Sequence, residues 1–165
     1  MSHKKRGRTR IGYPEDKATE TWEKDGIGYS IVQHSSYGHY CGYCRFPERP
    51  LIEEGYFGIA TYVPVHGGIT YAKQDVDGSM VYGFDCAHAE DDEKPETRDV
   101  EWLKAECERM AEAIKIAVRY ESLYLKATNS EDRAFLIDEY CGELDGDYDF
   151  SLNFEAMMNL LCGRL

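Results

Sequence analysis

The residues best suited to chemistry fall between His66 and His88, in the stretch HGGITYAKQDVDGSMVYGFDCAH. Two histidines and a glycine pair lie within it, and Asp85 stands directly before Cys86. Imidazole, thiol and carboxylate groups are common metal ligands and acid–base groups in proteins. The stretch therefore raises the question of whether these groups share one site.

Two kinds of reactive site would use these residue types. His66, Cys86 and His88, with Asp85 or Asp91 as an oxygen donor, offer enough ligands for a zinc ion. Cys86 could instead be a nucleophile that His66 activates, with Asp85 fixing the tautomer of the imidazole. Both alternatives stay open at the level of the sequence.

Two further interpretations involve no reaction. The amides of Gly67 and Gly68 could bind a small anionic ligand, with tyrosines at positions 62, 71 and 82 as stacking surfaces. The same polar groups could also form a hydrogen-bonded cluster that closes a sheet edge and binds nothing.

The strands around the stretch decide whether its two ends meet. Asp77 and Gly78 form a strong turn signal between the runs GITYA and SMVYGFD, which predicts a β-hairpin. Counted back from that turn, His66 and residues 85–88 lie at the same end of the hairpin. We therefore predict one ligand-binding site, formed by His66, Gly67, Gly68, Tyr71, Tyr82, Asp85, Cys86 and His88.

Other elements follow from the pattern of apolar residues. Short runs rich in Tyr, Ile, Val and Thr predict strands over residues 27–35, 39–46 and 56–65. A long helix is predicted to begin near Thr97 or Arg98, because apolar residues then recur at helical spacing. That stripe consists of Leu103, Cys107, Met110, Ile114 and Ala117.

Two shorter helices are predicted near the C-terminus, over residues 131–141 and around residues 153–161. Strands that come first and helices that come later favour an α+β fold. We expect an antiparallel β-sheet of about five strands, packed by the long helix.

The chain of 165 residues fits a single domain. Residues 1–25 are polar and charged and predict a flexible N-terminal tail, followed by one α+β domain over residues 26–165. Five of the first ten residues are basic, whereas the whole chain has a net charge of −12. An acidic body repels nucleic acid, so we expect at most weak, salt-sensitive contact through residues 1–10.

The six cysteines do not indicate disulfides, because Cys107, Cys141 and Cys162 fall in predicted helices. Cys41-Gly-Tyr-Cys44 has the spacing of a zinc or redox pair, but a structural zinc site needs a second such pair. No apolar run approaches the roughly 20 residues that span a bilayer. No apolar segment follows the basic start, so we expect an intracellular protein without a membrane partner.

Four segments resemble a family of small proteins of tailed phages and prophages: CGYCRFPERPL, VPVHGGITYA, VYGFDCAHAEDD and RDVEWLKAECERMAEAI. The family pattern joins a Gly-Tyr-Val-x-x-Pro segment, an HGG-Leu/Ile-Thr strand, a GFDCAH strand end and a helix that opens with Arg-Asp. The match covers about residues 40–118. This sequence has Val81-Tyr82 where the family has tryptophans, and Cys44 where it has valine, which weakens a zinc role for Cys44. The resemblance implies a phage context and no particular mechanism.

These observations favour a phage accessory protein in the host cytoplasm that acts on a host system, including its defence systems. It would bind a host protein or a small anionic ligand without catalysis, since only the glycine pair suggests an oxyanion or phosphate device. The alternative is a metal- or Cys-dependent hydrolase centred on the same cluster, with zinc as its cofactor. A structural role in virion assembly is also compatible with the composition.

Overall fold

The computed structural model describes residues 18–48 and 63–144, which form an α+β fold around a five-stranded antiparallel sheet. In chain order the strands are β1 Ala18–Lys24, β2 Ile27–Gln33, β3 Tyr40–Phe46, β4 Tyr71–Gln74 and β5 Met80–Asp85. Their order in the sheet is β1-β2-β3-β5-β4. The predicted fold class and the antiparallel sheet are confirmed.

Within residues 63–144, the helices α1 Val100–Lys126 and α2 Ser130–Glu143 follow the sheet. The short 3-10 helices Asp91–Glu93 and Pro95–Arg98 connect β5 to α1, so the long helix begins later than the sequence predicted. The Asp99 side chain caps α1 by accepting hydrogen bonds from two amides of its first turn. The predicted helix around residues 153–161 lies outside the described residues.

The apolar core includes residues of both α1 and the sheet. Leu103, Cys107 and Met110 of α1 are completely buried and belong to the same apolar cluster as residues of the strands. Gly42 on β3 lets the two layers come close, because a Cβ atom there would lie 2.6 Å from the sulfur of Cys107. Leu123, by contrast, is 43% exposed, so the buried face of α1 does not include it.

The described cysteines are free thiols, as predicted: Cys41, Cys44, Cys86, Cys107 and Cys141. None of the helices in the described part of the chain is both long and apolar enough to cross a membrane.

The boundary predicted for the N-terminal tail is wrong, because residues 18–24 form strand β1. The ring of Trp22 stacks on Tyr29 of β2 with a centroid distance of 5.1 Å. Its indole N–H donates to Oε1 of Glu108 on α1 at 3.2 Å. Most other side chains of β1 are exposed, so the strand lacks the apolar alternation that would have predicted it.

The predicted hairpin is confirmed, since β4 and β5 are antiparallel neighbours joined by a turn in which Gly78 has a φ of +86°. Side chains alternate along β5. Tyr82 and Phe84 are 1% exposed and lie on the core side, whereas Gly83 and Asp85 lie on the other face. The predicted strand over residues 56–65 falls largely outside the described residues, and residues 63–65 are not in a strand.

Candidate metal centre

His66 is held in place by contacts with both the sheet and α1. Its ring lies edge-on to Phe84 of β5 and Trp102 of α1, with centroid distances of 6.4 and 5.4 Å. Its backbone N–H donates to Oε1 of Glu106 at 2.6 Å. Arg109 in turn donates two hydrogen bonds to the carboxylate of Glu106, at 2.8 and 2.6 Å. The ring and the backbone of His66 are therefore both fixed.

Asp91 joins the two histidines of the stretch. One carboxylate oxygen lies 2.9 Å from Nε2 of His66, and the other lies 3.1 Å from Nδ1 of His88. The second oxygen also accepts a hydrogen bond from the His88 amide at 2.9 Å. Asp91 itself donates its backbone N–H to the carbonyl oxygen of His88, which closes a tight turn after β5. One buried carboxylate thus lies between two imidazoles.

Hydrogen bonds lower the pKa of the two carboxylates next to His66. Burial would raise the pKa of Asp91, but hydrogen bonds from the His88 amide and from both imidazoles outweigh it and lower that pKa. Burial would also raise the pKa of Glu106, but hydrogen bonds from Arg109 and the His66 amide lower it. Two carboxylates with lowered pKa values therefore lie beside His66, and one of them, Asp91, also contacts His88.

Gly67 allows the close approach of His88. A Cβ atom on Gly67 would lie 2.0 Å from Cε1 of His88, and the φ of Gly67 is +65°. The ring centroids of His66 and His88 are 5.7 Å apart, so the two histidines lie side by side at the same end of the hairpin, as the residue count from the turn predicts. Gly68 donates its N–H to the carbonyl oxygen of Val65 at 2.9 Å, so the turn itself uses the amide predicted to bind an anion.

His66, His88 and Asp91 could hold a metal ion. Each offers one ligand atom, and the three atoms lie within 4.8 Å of one another. Tetrahedral zinc with bonds near 2.1 Å needs ligand atoms about 3.4 Å apart. Movements of about 1 Å by these side chains would therefore bring the three ligand atoms to the distances that zinc requires. Two imidazoles and a carboxylate also resemble zinc sites that keep a fourth position open.

Cys86 does not join this group. It is 5% exposed, and its N–H donates to the carbonyl oxygen of Tyr40. Burial, followed by the negative charge of Asp91, raises the pKa of the Cys86 thiol to about 12. Because the thiolate is the form that attacks electrophiles and binds metals, these findings argue against both chemical roles predicted for Cys86.

Three other residues predicted for the site lie elsewhere. Tyr82 is buried in the apolar core at 1% exposure. Tyr71 pairs with Gly83, and both Tyr71 and Asp85 lie on the face of the sheet that points away from Tyr82. The prediction is wrong for these side chains because alternation along a strand separates residues that are close in sequence. Tyr62 lies outside the described residues.

The sequence signals two residues of the site only weakly. It offers Asp91 as one of two possible oxygen donors, although the His88-x-x-Asp91 spacing is one that a single turn brings together. Glu106 lies between Leu103 and Cys107 on the apolar stripe of α1 and is not predicted for the site. A carboxylate on a buried helix face, with an arginine three residues later, is the signal that could have found it.

A cleft of about 380 Å³ borders the cluster. Asp91 and Cys86 line it together with Tyr37 and His39 from the β2–β3 turn and Arg98 from the segment before α1. Its volume lies in the range of roughly 300–1,000 Å³ that is typical of small-molecule sites. Asp91 therefore belongs both to the candidate metal centre and to the cleft.

Neither a family model nor a curated protein nor a solved structure gives a significant match to this chain.

Proposed function

We propose that this protein binds a divalent transition-metal ion through His66, His88 and Asp91, and uses the ion to hold a small anionic ligand in the adjoining cleft. The observation that carries the proposal is the single buried carboxylate between two ring nitrogens, at 2.9 and 3.1 Å. Zinc fits best, because imidazole and carboxylate groups in a three-ligand set are typical of its open sites.

The surroundings support a metal centre over a purely structural cluster. Glu106, itself held by Arg109, accepts a hydrogen bond from the backbone N–H of His66 and so fixes the position from which the imidazole extends. Gly67 leaves room for the ring of His88, which no residue with a side chain would do at this position.

The charges of the cleft explain why an anionic ligand would bind only when the metal ion is present. Asp91 and Asp92 line the cleft with Arg98, whose guanidinium donates to Asp92 at 3.2 Å. The carboxylates outnumber this guanidinium and would repel an anion. A bound divalent cation reverses the local charge, so anion binding should depend on the metal.

The three-ligand set favours a second candidate, a metal-dependent hydrolase. A zinc ion with three protein ligands keeps a position for water and lowers the pKa of that water to about 7. Asp92 lies on the wall of the same cleft, where it could accept a proton. A Cys-dependent hydrolase is not proposed, because the pKa of Cys86 is too high for a nucleophile.

We also propose the biological role that the sequence resemblance implies, an accessory protein of phage origin that acts on a system of the host cytoplasm. The net charge of −12 supports a basic host protein as partner, since charge complementarity raises encounter rates.

Metal analysis tests the core of the proposal. Protein stripped with a chelator and reloaded with zinc should bind one equivalent, measured by elemental analysis and calorimetric titration. His66→Ala, His88→Ala and Asp91→Asn should each abolish this binding. Cys86→Ala and His34→Ala are the matched controls and should retain it. Stoichiometric zinc in His88→Ala, or its loss in Cys86→Ala, would show that the ligands are assigned wrongly.

Anion binding provides the functional readout. Inorganic phosphate should bind to the zinc-loaded protein and not to the metal-free protein. Equal phosphate binding in both forms would overturn the metal-dependent mode. Turnover of bis(4-nitrophenyl) phosphate by the zinc form, absent in Asp91→Asn, would select the hydrolase over the binding protein.

A further inference from the structure

The β2–β3 turn presents an aromatic surface at the cleft. The rings of His34 and His39 are stacked with a centroid distance of 4.9 Å and an interplanar angle of 19°. Tyr37 lies nearly parallel to His39, at 6.2 Å and 22°. Tyr37 is nevertheless 81% exposed. Its ring therefore offers a face to a ligand.

This turn is held in shape by its own hydrogen bonds. The N–H of His34 donates to His39 O and the N–H of Gly38 donates to His34 O, both at 2.8 Å. Nδ1 of His34 accepts from the amides of Ser36 and Tyr37 at 3.2 and 3.3 Å. The exposed ring of Tyr37 is thus carried by an ordered backbone, which lowers the entropic cost of stacking a ligand on it.

Arg98 provides a second recognition element on the cleft wall. The cleft is lined by Arg98 as well as by Tyr37 and His39. Its side chain is 65% exposed and one terminal nitrogen, Nη2, donates to Asp92. A guanidinium has five N–H donors and matches the geometry of a phosphate group.

We propose that the ligand of this cleft is a nucleotide. Its base stacks on Tyr37 beside His39, and its phosphate lies between Arg98 and the ion bound at Asp91. A planar ring and a phosphate are the two groups that this combination of an aromatic surface, a guanidinium and a metal centre recognises. The proposal rests on the proposed metal-dependent function, because the ion supplies most of the positive charge for the phosphate.

The experiment compares three probes on the zinc-loaded protein: AMP, ribose 5-phosphate, which lacks the base, and adenosine, which lacks the phosphate. Calorimetric titration should rank AMP as the tightest. Tyr37→Ala should weaken AMP about tenfold, as expected for loss of one stacking ring, and leave ribose 5-phosphate unchanged. Arg98→Gln should weaken AMP and ribose 5-phosphate and leave adenosine unchanged.

Two substitutions outside the cleft serve as matched controls. Phe135→Ala removes another exposed aromatic ring and Arg119→Gln another exposed guanidinium, and neither should change AMP binding. Tyr37→Ala and Arg98→Gln should retain one equivalent of zinc.

Failure of this inference can be told from failure of the metal centre. Full zinc occupancy with equal affinity for AMP and ribose 5-phosphate, or with AMP unaffected by Tyr37→Ala, would overturn the nucleotide proposal alone. A protein that binds no zinc in metal analysis would overturn the proposed function, and with it the phosphate part of this proposal.

Discussion

The β4–β5 hairpin has a polar cluster at each end, and the two clusters are built differently. At the turn, Arg45 of β3 forms an ion pair with Asp75, whose side chain is completely buried. At the opposite end, Asp91 is nearly as buried but lies between the imidazoles of His66 and His88. The first carboxylate faces a guanidinium, and the second faces two imidazole rings.

This difference separates a structural cluster from a site. Arginine stays protonated in proteins, so Arg45 is a fixed positive charge that holds Asp75 and Asp77 at the turn. Histidine exchanges its proton near neutral pH, and its nitrogens can bind a metal instead. Only the second cluster shares a residue with the cleft, since Asp91 lines it. Burial of a carboxylate alone would not have told the two clusters apart.

The largest loss of stability is expected outside both clusters, from a substitution on the apolar face of α1. Met110 is completely buried, and Met110→Asp would place an unpaired charge among apolar side chains. We expect a loss of about 4 kcal/mol or more in the free energy of unfolding, measured by thermal or urea denaturation. Met110→Leu is the control and should cost less than about 1.5 kcal/mol. An unchanged melting temperature for Met110→Asp would show that this face does not pack in the core.

The same substitution in each cluster tests the comparison directly. Asp75→Asn should cost about 3 kcal/mol, because it removes the buried carboxylate of this ion pair and leaves Arg45 with the half-exposed carboxylate of Asp77, at 3.6 Å. Asp91→Asn should cost about 2 kcal/mol, because neutral histidines can still hydrogen-bond to an amide. Denaturation curves of the two variants give both values.

The variant that loses more stability should be the one that keeps zinc binding. Asp75→Asn should retain zinc, and Asp91→Asn should lose it. If both variants lost the same stability and both kept the metal, the cluster at Asp91 would be structural like the one at Asp75.

The hairpin was predictable because its information is local. Asp77 and Gly78 specify the turn, and the short run of apolar and aromatic residues over Met80–Asp85 specifies a strand. Once the turn was fixed, the position of His66 opposite His88 followed from counting residues. The local sequence does not specify which face of the sheet the core covers, so it does not predict that Tyr82 belongs to the core.

The missed features depend on partners that are distant in sequence. Strand β1 has few buried side chains, and Trp22 is held by Tyr29 and by Glu108 on α1. Glu106 acquires its role only when α1 brings it next to the amide of His66. No periodicity in the local sequence signals such contacts, since they arise when the elements pack together.

Two glycines, one at each end of the hairpin, allow a test of the two clusters in which a smaller loss of stability is expected. Gly67 and Gly78 both have positive φ values, +65° and +86°. Alanine at either position should cost about 1–2 kcal/mol of backbone strain. A Cβ on Gly67 would also displace the ring of His88, whereas a Cβ on Gly78 would meet nothing within 4 Å. Zinc affinity should therefore fall about tenfold or more in Gly67→Ala and stay unchanged in Gly78→Ala. Equal zinc affinity in the two variants would mean that His88 is not a ligand.

The smallest effect is expected at Cys86, which lies beside the Asp91 cluster without sharing its chemistry. Because burial and nearby negative charge raise the pKa of its thiol to about 12, very little of Cys86 is in the thiolate form at pH 8. Iodoacetamide at that pH should therefore leave Cys86 almost unlabelled in the folded protein and label it readily in guanidinium chloride. Mass spectrometry of the peptide that contains Cys86 measures both states. Fast labelling of the folded, zinc-free protein would show that Cys86 is a reactive group of the site. The Asp91 end of the hairpin would then differ from the Asp75 end by a reactive thiol as well as by its histidines.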